Sequence, residues 1–197
     1  MQDDLLSLLS ARKGHFALES GHHGGMWMDL DPLFVAPSRI RPFVAVLADK
    51  LSKHNVDALC GPLVGGAFLA QAIATLLGVE FYYAERFVPA VRDTLYPIEY
   101  RIPPGVGKLL GGKAVAVVDD AVSAGSAARG TIATLEKYGA KPVAIGALLV
   151  LGDSAAHFCA ERGLGLESIA QLPYQVWLPA ECPMCTARVP LEDVVTA

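Results

Sequence analysis

Residues 113–153 carry a strand pattern, a loop, a helix pattern and a second strand pattern in immediate succession. KAVAVVDD (residues 113–120) is an almost unbroken apolar run that ends in two acids. SAARGTIATLEKYGA (residues 126–140) has the apolar spacing of a helix, and KPVAIGALLVLGD (residues 141–153) is a second apolar run. Continuous apolar runs are typical of strands buried on both faces of a parallel sheet. This strand-loop-helix-strand unit predicts an α/β fold.

The rest of the chain repeats the alternation of helix and strand patterns, separated by Gly and Pro. It predicts a mostly parallel central sheet flanked by helices, in a single domain spanning residues 1–197. Gly78 is the expected C-cap of one helix, and Pro42 is expected in the first turn of another. The expected helices are residues 3–12, 41–55 and 67–78, and the expected strands are residues 56–62 and 79–85.

Two segments lack the regular spacing of apolar residues that marks a helix or a strand. Residues 86–112 contain prolines, glycines and scattered charges, which predict a mobile flap or hairpin. The Pro-rich tail, residues 166–194, contains Trp177 and is expected to pack across the core as an extended segment.

Composition and charge narrow the class of protein. Apolar residues make up 53% of the chain and charged residues 18%, which favours burial of some surface in a partner subunit and hence a homo-oligomer. The apolar runs are too short to span a membrane, and acids stand near the N-terminus where a signal peptide carries bases, so we expect a cytoplasmic protein with no membrane partner. A net charge of -4 provides no basic field for nucleic acid.

The cysteines do not resemble a secreted disulfide framework. Cys182 and Cys185 form one CPMC pair, which is half of a zinc site, and the sequence spacing offers no second CxxC or His pair to complete it. A free-thiol or structural pair is the default interpretation, with zinc as the alternative.

Asp119 and Asp120 are the strongest candidate site residues, because they stand at the carboxyl end of a buried strand, where α/β sheets bind ligands. The small residues that follow can turn their backbone N–H groups inward as a phosphate cradle at a helix N-terminus. A phosphate beside two bare carboxylates is unfavourable, whereas a sugar phosphate offers hydroxyls to the acids, directly or through magnesium. The alternative is an exposed strand end with Ser123 as the N-cap of the next helix.

A second Gly-rich turn, residues 61–66, also lies between a strand and a helix and should open at the same sheet edge. Two anion cradles on one edge suit a doubly phosphorylated ligand. Alternatively, Gly65 and Gly66 simply permit close helix packing. The P-loop pattern GxxxxGK[ST] is absent, and no GxGxxG follows a strand, which disfavours both common nucleotide motifs.

These residues resemble a known family. VVDDAVSAGS (residues 117–126) is similar to the phosphoribosyl pyrophosphate (PRPP) motif of the type I phosphoribosyltransferases, and within that family the chain most resembles the bacterial orotate phosphoribosyltransferases. GHFALESG (residues 14–21) is similar to their substrate segment, GPLVGG (residues 61–66) to their pyrophosphate turn, and AER (residues 84–86) to the strand before the catalytic flap. The Trp, Pro and Cys residues of the tail add to a resemblance that covers nearly the whole chain.

The resemblance implies a glycosyltransferase of the pentosyltransferase class that acts on PRPP and a nucleobase with magnesium. A ring nitrogen of orotate or a related base attacks the anomeric carbon, and pyrophosphate leaves through an oxocarbenium-like transition state. Protein groups then contribute orientation and charge stabilisation. The family also implies a flap at about residues 86–112, a hood from about residues 1–40 and 170–197, and a cytoplasmic homodimer in pyrimidine nucleotide metabolism.

Site residues are carried over by position. The expected catalytic residues are Asp119 and Asp120, which hold the ribose hydroxyls or magnesium, and Arg86, which holds pyrophosphate. The expected 5-phosphate residues are Ala121, Val122, Ser123, Ala124, Gly125 and Ser126. The expected pyrophosphate residues are Gly61, Pro62, Leu63, Val64, Gly65 and Gly66. Those expected to face the base are Phe16, Ser20, Gly21 and His22.

The flap departs from the family pattern. Phe87 follows Arg86 where a lysine is normal, and residues 87–105 contain neither Lys nor His. Such cations neutralise the leaving pyrophosphate, so their loss should lower the rate unless Arg92 or Arg101 replaces them. The departure leaves open an alternative function, a PRPP-binding regulatory or catalytically impaired paralogue.

The substrate segment departs as well. Glu19 stands where a lysine is often found, and Gly24 where a serine usually contacts the acceptor. A Glu19 that points inward repels the carboxylate of orotate, and the alternative is an exposed acid. His22 and His23 either contact a base or are solvated, and Trp27 is expected in the core or a dimer interface rather than as a stacking platform.

Overall fold

The structure is a computed structural model that describes residues 1–90 and 94–194. Its strands are β1 (Ser10–Ala17), β2 (His23–Asp29), β3 (Ala58–Pro62), β4 (Glu80–Phe87), β5 (Glu99–Arg101), β6 (Ala114–Val122), β7 (Lys141–Leu151), β8 (Gly165–Leu172), β9 (Val176–Trp177) and β10 (Glu192–Asp193). Its α-helices are α1 (Gln2–Ser7), α2 (Asp31–Val35), α3 (Pro37–Ser52), α4 (Gly65–Leu77), α5 (Pro104–Gly107), α6 (Ser126–Lys137), α7 (Ser154–Arg162) and α8 (Pro183–Thr186).

A six-stranded sheet in the order β5-β4-β3-β6-β7-β8 forms the centre of the described chain. β3, β4, β6, β7 and β8 pair in parallel, and β5 is an antiparallel edge strand. The predicted mostly parallel sheet flanked by helices is therefore confirmed. Among the described residues, no helix combines the length and apolarity that crossing a bilayer would require.

β6 shows why its sequence is almost unbroken in apolar character. Val115 and Val117 pack in one hydrophobic cluster, whereas Ala116 and Val118 pack in the other. Successive side chains of a strand point to opposite faces, so a strand covered on both faces needs apolar residues at every position. Helix α6 lies over one face of the sheet, and α3 and α4 lie over the other.

A second sheet, in the order β10-β1-β2-β9, joins the two ends of the chain, and we call this four-stranded sheet the hood. β1 and β2 form an antiparallel pair, β9 pairs with β2, and β10 pairs with β1. The segments predicted for the hood were too broad, because α1 and α3 pack on the central sheet and β8 is one of its strands.

Several predicted boundaries were wrong. The first helix ends at Ser7, and residues predicted as its last turn belong to β1, because pairing with β2 overrides the local helical spacing. The helix predicted over residues 41–55 is α3, which begins at Pro37, so Pro42 lies inside the helix rather than in its first turn. Gly78 is the C-cap of α4 with a positive φ of 66°, which confirms that prediction. The extended tail was predicted to begin where the sheet still continues as β8.

The predicted flap was also too long. Ile98, Tyr100, Ile102 and Leu110 are buried in the core, because β5 extends the central sheet beside β4. Between Phe87 and Ile98, the described residues Val88, Ala90, Thr94, Leu95 and Tyr96 are exposed, and Pro89 and Pro97 are half-buried. Residues 91–93, which include the candidate cation Arg92, lie outside the described residues.

Candidate functional site

Asp119 and Asp120 lie near the carboxyl end of β6, which continues to Val122. The backbone N–H of Asp120 donates to Asp119 Oδ1 at 3.0 Å, and that of Ala121 donates to Asp120 Oδ1 at 2.8 Å. Burial raises the pKa of both carboxyls, and the adjacent charge of Asp120 raises the pKa of Asp119 further. The pair is therefore not the exposed strand end of the alternative interpretation.

The glycine turn packs directly against these carboxylates. A Cβ at Gly65 would lie 2.4 Å from Asp120 Oδ2, and one at Gly66 would lie 2.7 Å from Asp119 Oδ1. A Cβ at Gly61 would meet the carbonyl oxygen of Gly66 at 2.2 Å. Any side chain would therefore push the start of α4 away from the acids. The glycines therefore permit close packing of α4 against the acids, and the predicted anion cradle stays a prediction.

The loop after β6 contains two buried hydroxyls without partners. Among the described residues, Ser123 Oγ and Ser126 Oγ have no hydrogen-bond partner although both atoms are buried. Gly125, with a φ of 81°, is the N-cap of α6, so Ser123 does not cap this helix. Buried polar groups are normally paired. Two unpaired donors beside a helix N-terminus are suited to an anion.

One cavity of about 400 Å³ joins these elements. Its lining includes both aspartates, all of residues 121–126, residues 62–65, Arg86 and Ser20. Gly61 and Gly66 do not line the cavity, but a side chain at either position would clash with the residues around it. Among the cavity residues to which the sequence did not assign a ligand-binding role are Met26, Met28, Asp31, Tyr100 and Tyr174. They come from the hood, from α2, from β5 and from the segment before β9, and no local motif marks them.

Glu19, Arg86 and Tyr100 form a polar cluster at the wall of the cavity. Arg86 Nε donates to Glu19 Oε2 at 2.9 Å, and the Tyr100 hydroxyl donates to the other oxygen of Glu19. Burial and the charge of Glu19 raise the pKa of Tyr100. Glu19 therefore points inward, with its charge balanced by Arg86. Glu19 is therefore neither an exposed acid nor an inward-pointing charge without a cationic partner.

Three of the four residues expected to face the base do not line the cavity. Phe16 is fully buried below β1 and does not line the cavity, because the pleat of the strand turns it toward Gly14 and Arg12. Gly21 and His22 also lie outside the lining, although His22 Nδ1 is 3.1 Å from the hydroxyl of Ser20. Burial lowers the pKa of His22.

Trp27 is half-buried and lines the cavity, so the predicted core position is wrong, and a role at a dimer interface stays a prediction. His23 is buried and contacts His15 and Cys185, so the solvated alternative is wrong for it. Gly24 faces Tyr174, and a Cβ there would lie 2.0 Å from the Tyr174 hydroxyl oxygen. A serine at position 24 would collide with this tyrosine.

Residues that follow the undescribed part of the flap rest on the substrate segment. The Tyr96 N–H donates to the carbonyl of Ser20 at 2.9 Å, and the Tyr96 hydroxyl is 3.4 Å from the carbonyl of Ala124. Arg101 pairs with Glu99 at 2.7 Å and lies over the ring of Phe87, outside the cavity lining. Arg101 is therefore not placed to replace a flap lysine.

Comparisons with known proteins agree with the fold and motifs. The chain is 30% identical over 182 residues to an orotate phosphoribosyltransferase from Thermotoga maritima, covering 91% of this chain and 89% of that protein. The solved orotate phosphoribosyltransferase from Aeropyrum pernix matches with a TM-score of 0.58 at 24% identity, over 82% of this chain and 88% of that one.

An adenine phosphoribosyltransferase from Trypanosoma brucei, solved with AMP, pyrophosphate and ribose-5-phosphate, has a TM-score of 0.66 at 14% identity, over 86% of this chain and 78% of that one. No family model matches the chain. The identity to the Thermotoga maritima enzyme over nine-tenths of the chain, on a shared fold, shows the relationship. The chain belongs to the type I phosphoribosyltransferases, which are enzymes of the pentosyltransferase class.

Proposed function

We propose that this enzyme transfers ribose 5-phosphate from PRPP to orotate or a related base and releases pyrophosphate, a step of pyrimidine nucleotide synthesis. The observation that carries the proposal is one cavity that joins two buried carboxylates, a loop with unpaired hydroxyls and a glycine turn. Each part suits a different portion of PRPP.

Asp119 and Asp120 are proposed to bind the ribose. Burial raises the pKa of each carboxyl, so groups that donate hydrogen bonds or carry positive charge stabilise the ionised pair. The 2- and 3-hydroxyls of ribose are such donors. Carboxylate oxygens also fit magnesium, whose charge would offset that of the pyrophosphate. The two acids would orient the sugar and stabilise positive charge that develops at the anomeric carbon.

The two turns are proposed to bind the phosphates at opposite ends of PRPP. Ser123 and Ser126 supply hydroxyls that have no partner in the described residues, together with N–H groups at the start of α6. The turn before α4 brings backbone close to the acids without side chains, which leaves room for pyrophosphate beside the anomeric carbon. Arg86, at the same cavity, would share its positive charge between Glu19 and the leaving group.

Binding and turnover should both depend on the acid pair. We expect calorimetry with PRPP and magnesium to show binding that Asp120→Asn weakens at least tenfold, and orotate consumption that the variant loses. Asp49→Asn is the matched control, because Asp49 is an exposed acid on α3. Unchanged PRPP affinity in Asp120→Asn would contradict the proposed ribose site.

A PRPP-binding role without efficient turnover is the second candidate. It is favoured by the absence of Lys and His from residues 87–105 and by the engagement of Arg86 with Glu19. PRPP binding without loss of orotate, uracil or adenine would support it. Turnover of orotate at a rate typical of metabolic enzymes, about 1 per second or more, would reject it.

We also infer a homodimer. Val35 and Phe68 are exposed by 85% and 50%, and they lie on α2 and α4, which are in contact. Burial of such a patch in a second copy would remove apolar surface from water. Light scattering should report a dimer that Phe68→Glu dissociates, whereas Leu109→Glu, an exposed leucine elsewhere, leaves it intact. A monomeric wild-type protein would reject the inference.

A further inference from the structure

Two histidines from the hood and two cysteines from the C-terminal segment form a cluster. His15 Nε2 lies 3.0 Å from His23 Nδ1 and 3.4 Å from Cys182 Sγ. Cys185 Sγ lies 3.3 Å from His23 Nδ1 and 3.7 Å from His15 Nε2. All four atoms lie within 4.8 Å of one another. Sequence spacing alone does not reveal this set, because the two pairs are more than 150 residues apart.

Strand pairing brings the histidines together. β1 and β2 are antiparallel, with Ala17 opposite His23, and the register shifts between Lys13 and Phe16. His15 lies within this irregularity and points to the same side as His23. The cysteines approach from the segment after β9, which pairs Trp177 with His23. Cys182 is the N-cap of α8 and Cys185 lies within its single turn, which turns both sulfurs toward the histidines.

The tautomer of His15 is determined by a contact outside the cluster. His15 Nδ1 lies 2.9 Å from the carbonyl oxygen of Val189. A carbonyl oxygen accepts but cannot donate, so Nδ1 carries the hydrogen and Nε2 directs its lone pair at the other three groups. A backbone carbonyl that holds the distal N–H of a histidine is the usual support for a metal-binding imidazole.

The separations between the ligand atoms are close to those of a tetrahedral zinc site. Zn–S bonds of about 2.3 Å and Zn–N bonds of about 2.0–2.1 Å give tetrahedral edges of roughly 3.3–3.8 Å. Four of the six separations between the ligand atoms run from 3.0 to 3.7 Å, and all six are within 4.8 Å. His15, His23 and Cys182 are buried, and Cys185 is exposed, which gives an ion a route of entry.

We propose that His15, His23, Cys182 and Cys185 bind one Zn²⁺ per chain as a structural site. Two thiolates and two imidazoles are a borderline-soft set that suits zinc, and four protein ligands leave no position open for a substrate. The ion would fasten the C-terminal segment to β1 and β2. Leu18, which follows β1, and Met26, which lies within β2, line the cavity, so the zinc site would support the acceptor side of the cavity.

Metal analysis of the full chain, after removal of any affinity tag and without added zinc, is the first test. We expect close to one zinc per chain by mass spectrometry. Cys182→Ser, Cys185→Ser and His15→Ala should each lower the zinc content at least tenfold. Cys159→Ser and His157→Ala are matched controls outside the cluster and should retain it. Circular dichroism of each variant separates loss of metal from loss of fold.

Cobalt substitution of the wild-type protein keeps the test decisive if a variant fails to fold. Under reducing conditions, Co²⁺ should produce the visible bands of a tetrahedral site with thiolate ligands, and stoichiometric Zn²⁺ should abolish them. Absence of zinc together with no Zn²⁺ binding by the reduced protein would overturn the proposal. Zinc that persists in both cysteine variants, or a metal-free disulfide between the two cysteines, would overturn it as well.

Discussion

Gly24 and Tyr174 compete for one space beside the cavity, and this competition can be measured. A Cβ at position 24 would lie 2.0 Å from the hydroxyl oxygen of Tyr174 and 3.0 Å from the ring carbon that carries it. The hydroxyl donates to the carbonyl of Met26 at 2.8 Å, so it cannot move aside without losing that hydrogen bond. Gly24→Ala must therefore displace the ring or the strand.

The magnitudes follow from these contacts. Overpacking by Gly24→Ala should lower the free energy of unfolding by about 1–3 kcal/mol. Tyr174→Phe loses one hydrogen bond, which should cost about 0.5–1.5 kcal/mol. In the double variant the hydroxyl that overlaps the new Cβ is absent. The hydrogen bond to the carbonyl of Met26 is also counted only once, although each single variant disturbs it. The double variant should therefore be more stable than the sum of the two losses predicts, by about 1 kcal/mol.

Urea unfolding of the four proteins measures this coupling, provided that the slopes agree. The pair Gly24→Ala and Tyr82→Phe is the control, because Tyr82 carries its hydroxyl on the central sheet, where it contacts Glu80. That pair should be additive. Additivity within about 0.5 kcal/mol for Gly24 and Tyr174 would refute the steric account of the glycine.

Three further expectations concern the cavity. Ser123→Ala removes a buried hydroxyl that has no hydrogen-bond partner among the described residues. The free energy of unfolding should therefore change by less than about 0.5 kcal/mol, whereas the PRPP affinity measured by calorimetry should fall. Unchanged affinity would show that this hydroxyl does not face the ligand. Burial raises the pKa of Asp119, so the stabilisation associated with its protonated form is present at low pH and lost as pH rises through the raised pKa. Thermal melts should therefore show Asp119→Asn gaining stability relative to the wild type as the pH rises above about 4, and a constant difference would count against a raised pKa. Glu19→Gln removes the negative charge beside Arg86 and should tighten pyrophosphate binding about three- to tenfold in an inhibition assay; weaker binding would mean that Glu19 mainly positions the arginine.

Much of the main sheet could be predicted because its signals are local. The apolar run before Asp119 reports burial on both faces, and Gly78 reports the end of a helix by its positive φ. The early end of α1 could not be predicted, because residues 8–12 have helical spacing and the competing pairing with β2 is a long-range contact. The role of Phe16 in facing the base, which was carried over from the family by position, failed in the same way, because the side of the strand to which Phe16 points depends on the register.

The amino-acid sequence by itself determined the central strand, its two terminal acids and the small-residue loop after them, because hydrophobic period and turn chemistry act between near neighbours. Tertiary structure decided which distant groups meet them. The glycine turn reaches the acids through the pairing of β3 with β6, and Glu19 reaches Arg86 across the gap between the hood and the central sheet. Two histidines and two cysteines meet in the same manner at the hood. Such contacts depend on strand order, register and side-chain direction together, and these are properties of the folded chain rather than of any stretch of residues.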